Sequence, residues 1–255
     1  MNETGVMIIG HGSSNAAWVE LVDQAVTNLE CSVPFTTCFL EMVEGRLIAD
    51  GIRELEEQGV QKIVAIPLFV AAGSTHIDEI AYMLGASEHK LDEKWKRLSH
   101  EAKIAFCPPM EDHPLIIDIL EERIKELSVD PEKEVLLVIG HGADEGDNYQ
   151  KWEELLSSVT NKLNQRFGFV HAGYGTLHPN NLRERALSAS KQGTTIVIPL
   201  FLSEGYFTNK VIPAKLEGLD YVYSGKTYLP HPYVSRWLQQ VIDHHCEPND
   251  LSSVG

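Results

Sequence analysis

Short runs of consecutive apolar residues alternate along this chain with longer stretches whose apolar positions recur every three or four residues. Residues 6–9, 63–70, 135–139 and 194–201 are the apolar runs. Such runs, bounded by glycine or polar residues, predict strands buried on both faces. Between them, residues 15–29 place Ala16, Val19, Val22, Val26 and Leu29 at helical spacing. Residues 45–58 do the same with Ile48, Ile52 and Leu55, and Gly59 closes that helix. The same patterns predict strands at 33–40, 102–107, 169–174 and 221–223. They predict helices at 77–84, 114–127, 149–166, 181–192, 209–216 and 232–245. Strands alternating with helices imply an α/β fold built on parallel sheets, with ligands beyond the carboxyl ends of the strands.

The pattern also repeats. Met7-Ile8-Ile9-Gly10-His11-Gly12 returns 130 positions later as Leu137-Val138-Ile139-Gly140-His141-Gly142. Val64-Ala65-Ile66-Pro67-Leu68-Phe69-Val70 returns 132 positions later as Ile196-Val197-Ile198-Pro199-Leu200-Phe201-Leu202. Two landmarks in the same order at nearly one offset indicate a duplicated unit. We therefore expect two pseudo-symmetric lobes, each a parallel sheet covered by helices, with a cleft between them. The first spans 1–127, a polar proline-containing linker spans 128–134, and the second spans 135–245. Residues 246–255 are expected to form a flexible tail.

Composition narrows the function. The 255 residues carry a net charge of −16, which opposes generic binding to nucleic acid or an anionic membrane. No segment reaches the ~18 consecutive apolar residues of a membrane span, and the start has no signal-peptide pattern. A cytoplasmic protein is the expectation. The cysteines, Cys31, Cys38, Cys107 and Cys246, show no C-x-x-C pair and read as free thiols.

Polar residues gather just past the predicted strand ends of the first half. His11 follows the first strand, Glu41 the second, and Ser74, Thr75 and His76 follow the third after Ala71-Ala72-Gly73. Residues at three strand ends of one sheet converge on one edge, and two imidazoles with a carboxylate suit Fe, Co, Ni or Zn. Each alone reads more often as a hydrogen-bonded structural histidine, or as a capping or solvated acid, and it is their common placement that raises the functional reading. Gly10-His11-Gly12 does not extend to G-x-G-x-x-G, because Asn15 stands at the third glycine position. The repeat carries Asp144, Glu145 and Asp147 nearby, which would repel a pyrophosphate. No Walker sequence occurs, so no ATP is expected. Ser13 and Ser14 lack a nucleophile-elbow setting. Gly10 stands where histidine phosphatases carry an arginine.

Taken together, Gly10-His11-Gly12-Ser13-Ser14, Phe39-Leu40-Glu41 and the run from Ile66 through Ala71-Ala72-Gly73-Ser74-Thr75-His76 resemble the class II sirohydrochlorin chelatases. Phe106-Cys107-Pro108-Pro109 matches the way that family closes its first lobe, and the repeat matches its longer, duplicated members. The resemblance implies insertion of cobalt, iron or nickel into sirohydrochlorin, on the routes to cobalamin, sirohaem and the nickel tetrapyrrole. It implies no organic cofactor, the metal being a substrate. His11, Glu41 and His76 match its metal-binding and catalytic residues. By the offset, the counterpart of His76 is Thr208, and that of Glu41 falls near Gly175 or Thr176 with His178 close by. The second lobe is thus expected to be a degenerate copy. One departure is Ile77-Asp78-Glu79-Ile80, where family members continue with a basic residue and Asp-Ile-Pro.

Metal insertion exchanges two pyrrole protons for one cation. Neutral imidazole can both ligate and accept a proton, and ligation must stay incomplete so that the metal can leave. The substrate is a polycarboxylate, so an acidic chain must recognise it through local donors. Gly12, Ser13, Ser14, Ser74, Thr75, Arg46 and Lys210 are the candidates, with Arg183 and Arg185 as further cations. Tyr206 and Phe207 could wall the macrocycle or simply pack. His89, His100 and the His244-His245 pair read as surface histidines. A monomer or homodimer is compatible with one chain supplying both lobes. A tetrapyrrole- or metal-binding carrier or sensor, or another α/β metal enzyme reusing this set, are the alternative readings.

Overall fold

The computed structural model describes residues 3–89 and 92–246. The first half contains β1 (Thr4–Gly10), α1 (Ala16–Val26), β2 (Phe35–Phe39), α2 (Ile48–Glu57), β3 (Lys62–Pro67), α3 (Thr75–Met83), β4 (Lys103–Phe106) and α4 (Pro114–Lys125). The second contains β5 (Glu134–Gly142), α5 (Gly146–Phe167), β6 (His171–His178), α6 (Leu182–Ala189), β7 (Thr194–Pro199), α7 (Ile212–Leu216), β8 (Tyr221–Val222) and α8 (Pro232–Cys246). The strands form two four-stranded sheets, ordered β2-β1-β3-β4 and β6-β5-β7-β8, with every pairing parallel. Each expected strand and helix is present, with ends shifted by a few residues.

The central strands explain why the runs are uninterrupted. Val6, Met7, Ile8 and Ile9 are fully buried, as are Ile63, Val64, Ala65 and Ile66, because a parallel sheet is covered on both faces. Burying each such side chain contributes about 1.5–3 kcal/mol before entropy is charged. Local chemistry sets the helix ends. The Asn15 side chain accepts from the Ala17 amide and caps α1. Pro114 opens α4 where no amide is needed. Gly168, at φ 71°, closes α5.

One feature departs from the sequence expectation. The helix expected at 209–216 begins instead as a wide π turn over Phe207–Val211, with the Ile212 amide donating to the Phe207 carbonyl. Pro213 has no amide to continue an ordinary ladder from Asn209. The linker at 128–134 is tied down. Glu134 is buried, accepts from the Val129 amide at 2.9 Å and takes the Ser128 hydroxyl at 2.5 Å, around a 3-10 turn at Pro131–Lys133. The tail expected beyond Cys246 lies outside the described residues.

Packing divides the chain into two compact units that cut across the repeat. The first takes described residues within 3–68, 78–108 and 235–246, and the second takes 69–77 and 109–234. Helix α4, from the first half, therefore packs in the second unit, against α5 and β7. There Asp112 bonds Ser158 and Lys162, Arg166 reaches Asp118 and Glu121, and Arg123 donates to the Thr227 carbonyl. Most of α8 packs in the first unit, where Gln239 exchanges hydrogen bonds with the Glu30 backbone, 2.8 Å each way.

Candidate functional site

In the first unit the chain crosses itself at the end of β1. Gly12 has φ +98°, a backbone that side chains rarely adopt, and a Cβ there would collide with the Glu41 carbonyl. The Leu40 amide donates to Gly10 and the Glu41 amide to His11, at 2.9 and 3.1 Å, so β2 stays laddered to β1 past its formal end. The side chains consequently meet. His11 Nε2 lies 3.5 Å from Glu41 Oε1, with the two side chains 30% and 34% exposed. His11 Nδ1 is 2.8 Å from the Gly12 carbonyl. A carbonyl can only accept, so Nδ1–H donates and the neutral ring carries its lone pair on Nε2. An imidazole nitrogen and a carboxylate at this spacing are donors for a divalent metal.

The other first-unit candidates divide. Ser13 Oγ accepts from the Asn15 amide at 3.0 Å, while Ser14 is exposed. Both line a groove of about 380 Å³ with Met42, Val43 and Glu44. Arg46 is engaged elsewhere: its guanidinium forms a two-point pair with Asp23 at 2.7 and 2.9 Å and lies over the Phe39 ring.

Ser74, Thr75 and His76 belong to the second unit. The loop before them is clamped from both sides. A Cβ on Gly73 would lie 2.6 Å from Trp152 and 2.7 Å from the Asn148 carbonyl, so only glycine fits against α5. The Ala72 amide donates to Glu111 Oε1, and the Glu111 amide donates to Val70 at 3.0 Å. Glu111 itself holds φ 48°, a strained value for a residue with a side chain. Burial pushes its carboxyl up, against the Ala72 amide. His76 then sits at the start of α3, its ring 6.3 Å from Phe69. The structure thus joins His11 to Glu41 within one unit and seats His76 in the other.

The counterpart of Glu41 is not at Gly175 or Thr176. In the first sheet Gly10 pairs with Phe39, and in the second Gly140 pairs with Thr176. Two residues on, Glu41 therefore corresponds to His178, and a Cβ on Gly142 would collide with the His178 carbonyl as one on Gly12 would with Glu41. The offset fails here because α5 has 22 residues where α1 has 11, and the excess is recovered only before β7. His141 and His178 stack at 4.9 Å and 29°, and Phe207 meets His141 edge-on at 5.2 Å. Burial lowers the proton affinity of His141. His178 and His76 act the same way, and the Gly142 carbonyl and Asp144 oppose them. Sequence periodicity missed His178, although the strand register would have found it.

The remaining candidates are scattered. Thr208 is buried and bonded to Gly205. Lys210 is exposed on the π turn, and Tyr206 is 72% exposed. Arg183 donates to the Lys215 and Glu217 carbonyls at the end of α7. His100 is held at the Ala102 and Leu84 carbonyls.

This doubled parallel sheet, with a glycine-flanked histidine closing the central strand of each, defines a family. A model of the CbiX family matches residues 5–127 and 135–245, and the chain belongs to that family. The sirohydrochlorin cobaltochelatase of Sulfolobus acidocaldarius is 31% identical over 128 residues, covering 49% of this chain and 94% of that protein. The sirohydrochlorin ferrochelatase of Priestia megaterium is 25% identical over 218 residues, covering 81% and 76%. The solved structure of SirB from Bacillus subtilis with Fe3+ superposes with a TM-score of 0.72 at 19% identity, covering 95% of each chain. No described helix is long and apolar enough to cross a membrane.

Proposed function

We propose that this chain is a sirohydrochlorin chelatase that inserts a divalent metal, cobalt or iron, into the macrocycle with release of two protons. The single observation that carries the reading is the His11–Glu41 pair, held at 3.5 Å with His11 Nδ1 tied to the Gly12 carbonyl. Membership of the CbiX family and relatives named as cobaltochelatase and ferrochelatase support it.

The chemistry follows from the residue types. His11 presents a neutral nitrogen that binds the incoming metal, and Glu41 supplies a compensating negative charge. His76, in the second unit, is carried as a further metal-binding candidate by the family resemblance of the segment that ends on it. Two or three such ligands leave coordination positions for water and for pyrrole nitrogens, so the ion can transfer instead of being caged. As the metal transfers to the macrocycle, an imidazole nitrogen it vacates can accept a displaced pyrrole proton. The metal is a substrate, and the reaction asks for no organic cofactor and no ATP. With a net charge of −16, the chain binds a polycarboxylate through short-range donors. The Gly12 backbone, Ser13, Ser14, Ser74, Thr75 and Lys210 remain candidates for those contacts.

The test mixes purified chain with sirohydrochlorin and Co2+ or Fe2+ and follows the absorbance of the metallated product. Wild type should exceed the uncatalysed rate, and His11→Ala, Glu41→Gln and His76→Ala should each lose about 100-fold or more. Wild type that binds sirohydrochlorin yet matches the uncatalysed rate would sink the enzyme reading in favour of a carrier.

A further inference from the structure

We propose that the second half carries a cation site of its own, with His141 and His178 as its two protein ligands and a borderline divalent ion such as Co2+ or Ni2+ as its occupant. The backbone that pairs His11 with Glu41 is rebuilt there residue for residue. The histidine closes the central strand, the next glycine has positive φ (+76° at Gly142), and the neighbouring strand end passes where a Cβ would stand. His141 Nδ1 lies 3.0 Å from the Gly142 carbonyl, so it donates and leaves the lone pair of the neutral ring on Nε2. A ring whose second nitrogen is tied to a carbonyl is the usual arrangement of a metal-binding histidine.

The partner is an imidazole where the first half has a carboxylate. His178 stacks 4.9 Å from His141, and its side chain is 46% exposed, so it can turn to aim a nitrogen at a shared ion. The Asp144 carboxylate stands 3.6 Å from His178 Nδ1, where it orients that ring and offsets part of the charge of a bound cation. Phe207, edge-on to His141, fixes the other side. A pair of neutral nitrogen donors favours Co2+, Ni2+ or Zn2+ over hard ions such as Mg2+. Thr208, at the place of His76 in the repeat, is buried and bonded to Gly205, so it adds no ligand. Among the described residues no group of three His, Cys, Asp or Glu side chains is arranged to hold a metal. The site is therefore two-coordinate from the protein, with water completing the shell, and exchanges its ion readily.

The experiment needs no tetrapyrrole, so it can be read whether or not the chain turns over sirohydrochlorin. Co2+ is titrated calorimetrically into the whole chain carrying His244→Ala and His245→Ala, which removes the terminal histidine pair. Adding His141→Ala, His178→Ala or the conservative His178→Gln should each weaken one binding event at least tenfold. Adding His11→Ala should leave that event intact. In parallel, Co2+ should produce paramagnetically shifted imidazole signals that vanish in the His178→Gln chain. His178 is exposed, so this variant is expected to keep the wild-type circular dichroism, and its result decides the matter if His141→Ala unfolds. An isotherm unchanged in both His178 variants, or one event lost only with His11, overturns the proposal.

Discussion

Glu41 and His178 occupy one position in two sheets: the carbonyl of each fills the space that a side chain on Gly12 or Gly142 would need. Both glycines are therefore fixed twice, by positive φ and by a backbone crossing that cannot shift without moving a strand. Gly12→Ala and Gly142→Ala should each destabilise the protein by about 2–4 kcal/mol. Urea unfolding against His11→Ala, which removes only a half-exposed ring, checks this. Equal midpoints for Gly12→Ala and His11→Ala would refute the crossing as a constraint.

Arg46 gives a prediction of a different kind. Its two-point pair with Asp23 and its stacking on Phe39 make it part of the scaffold of the first unit. Arg46→Gln should cost about 1 kcal/mol of stability, the scale of a well-formed but part-exposed ion pair. KM for the tetrapyrrole should stay within twofold. A large rise in KM with unchanged stability would place Arg46 at the substrate instead.

Glu111 should make stability depend on pH in an unusual sense. Burial raises its carboxyl above the ordinary range, so the folded chain holds this proton more tightly than the unfolded one. Its contribution is then present at low pH and is lost as pH rises through the raised value. Glu111→Gln can still accept from the Ala72 amide but has no charge to bury. Denaturant titrations from pH 4 to pH 7 should show the variant gaining on wild type as pH rises. A constant gap would mean burial does not govern this group.

Thiol reactivity should split. Burial pushes the Cys38 thiol far up and the Cys107 thiol up to about 11, so neither forms thiolate at neutral pH. Cys31 and Cys246 are part-exposed. An aromatic disulfide reagent should titrate two thiols in the folded chain and four in denaturant. Four equally fast thiols would contradict the packing around Cys38.

The sheet elements were legible because they are buried on both faces, so β1, β3, β5 and β7 are written as unbroken apolar runs. His11 and His141 were legible because the glycines around them repeat. His178 was not, since a helix twice the length of its counterpart shifts the register between β5 and β6. Glu111 was not, since nothing local in Pro109-Met110-Glu111-Asp112 states that its carboxylate will hold the Ala72 amide 39 positions away. The tied linker was likewise hidden, because nothing local states that the Glu134 carboxylate will hold the Ser128 hydroxyl and the Val129 amide.

The placement of α4 and α8 has one more consequence. A chain severed between residues 128 and 134 would yield two pieces of matching sequence, each missing the helix that completes its own packed unit and bearing the one the other requires. Co-expressed, the two pieces should associate by exchanging those helices. The duplication visible in the sequence and the packed units of the fold thus follow different seams.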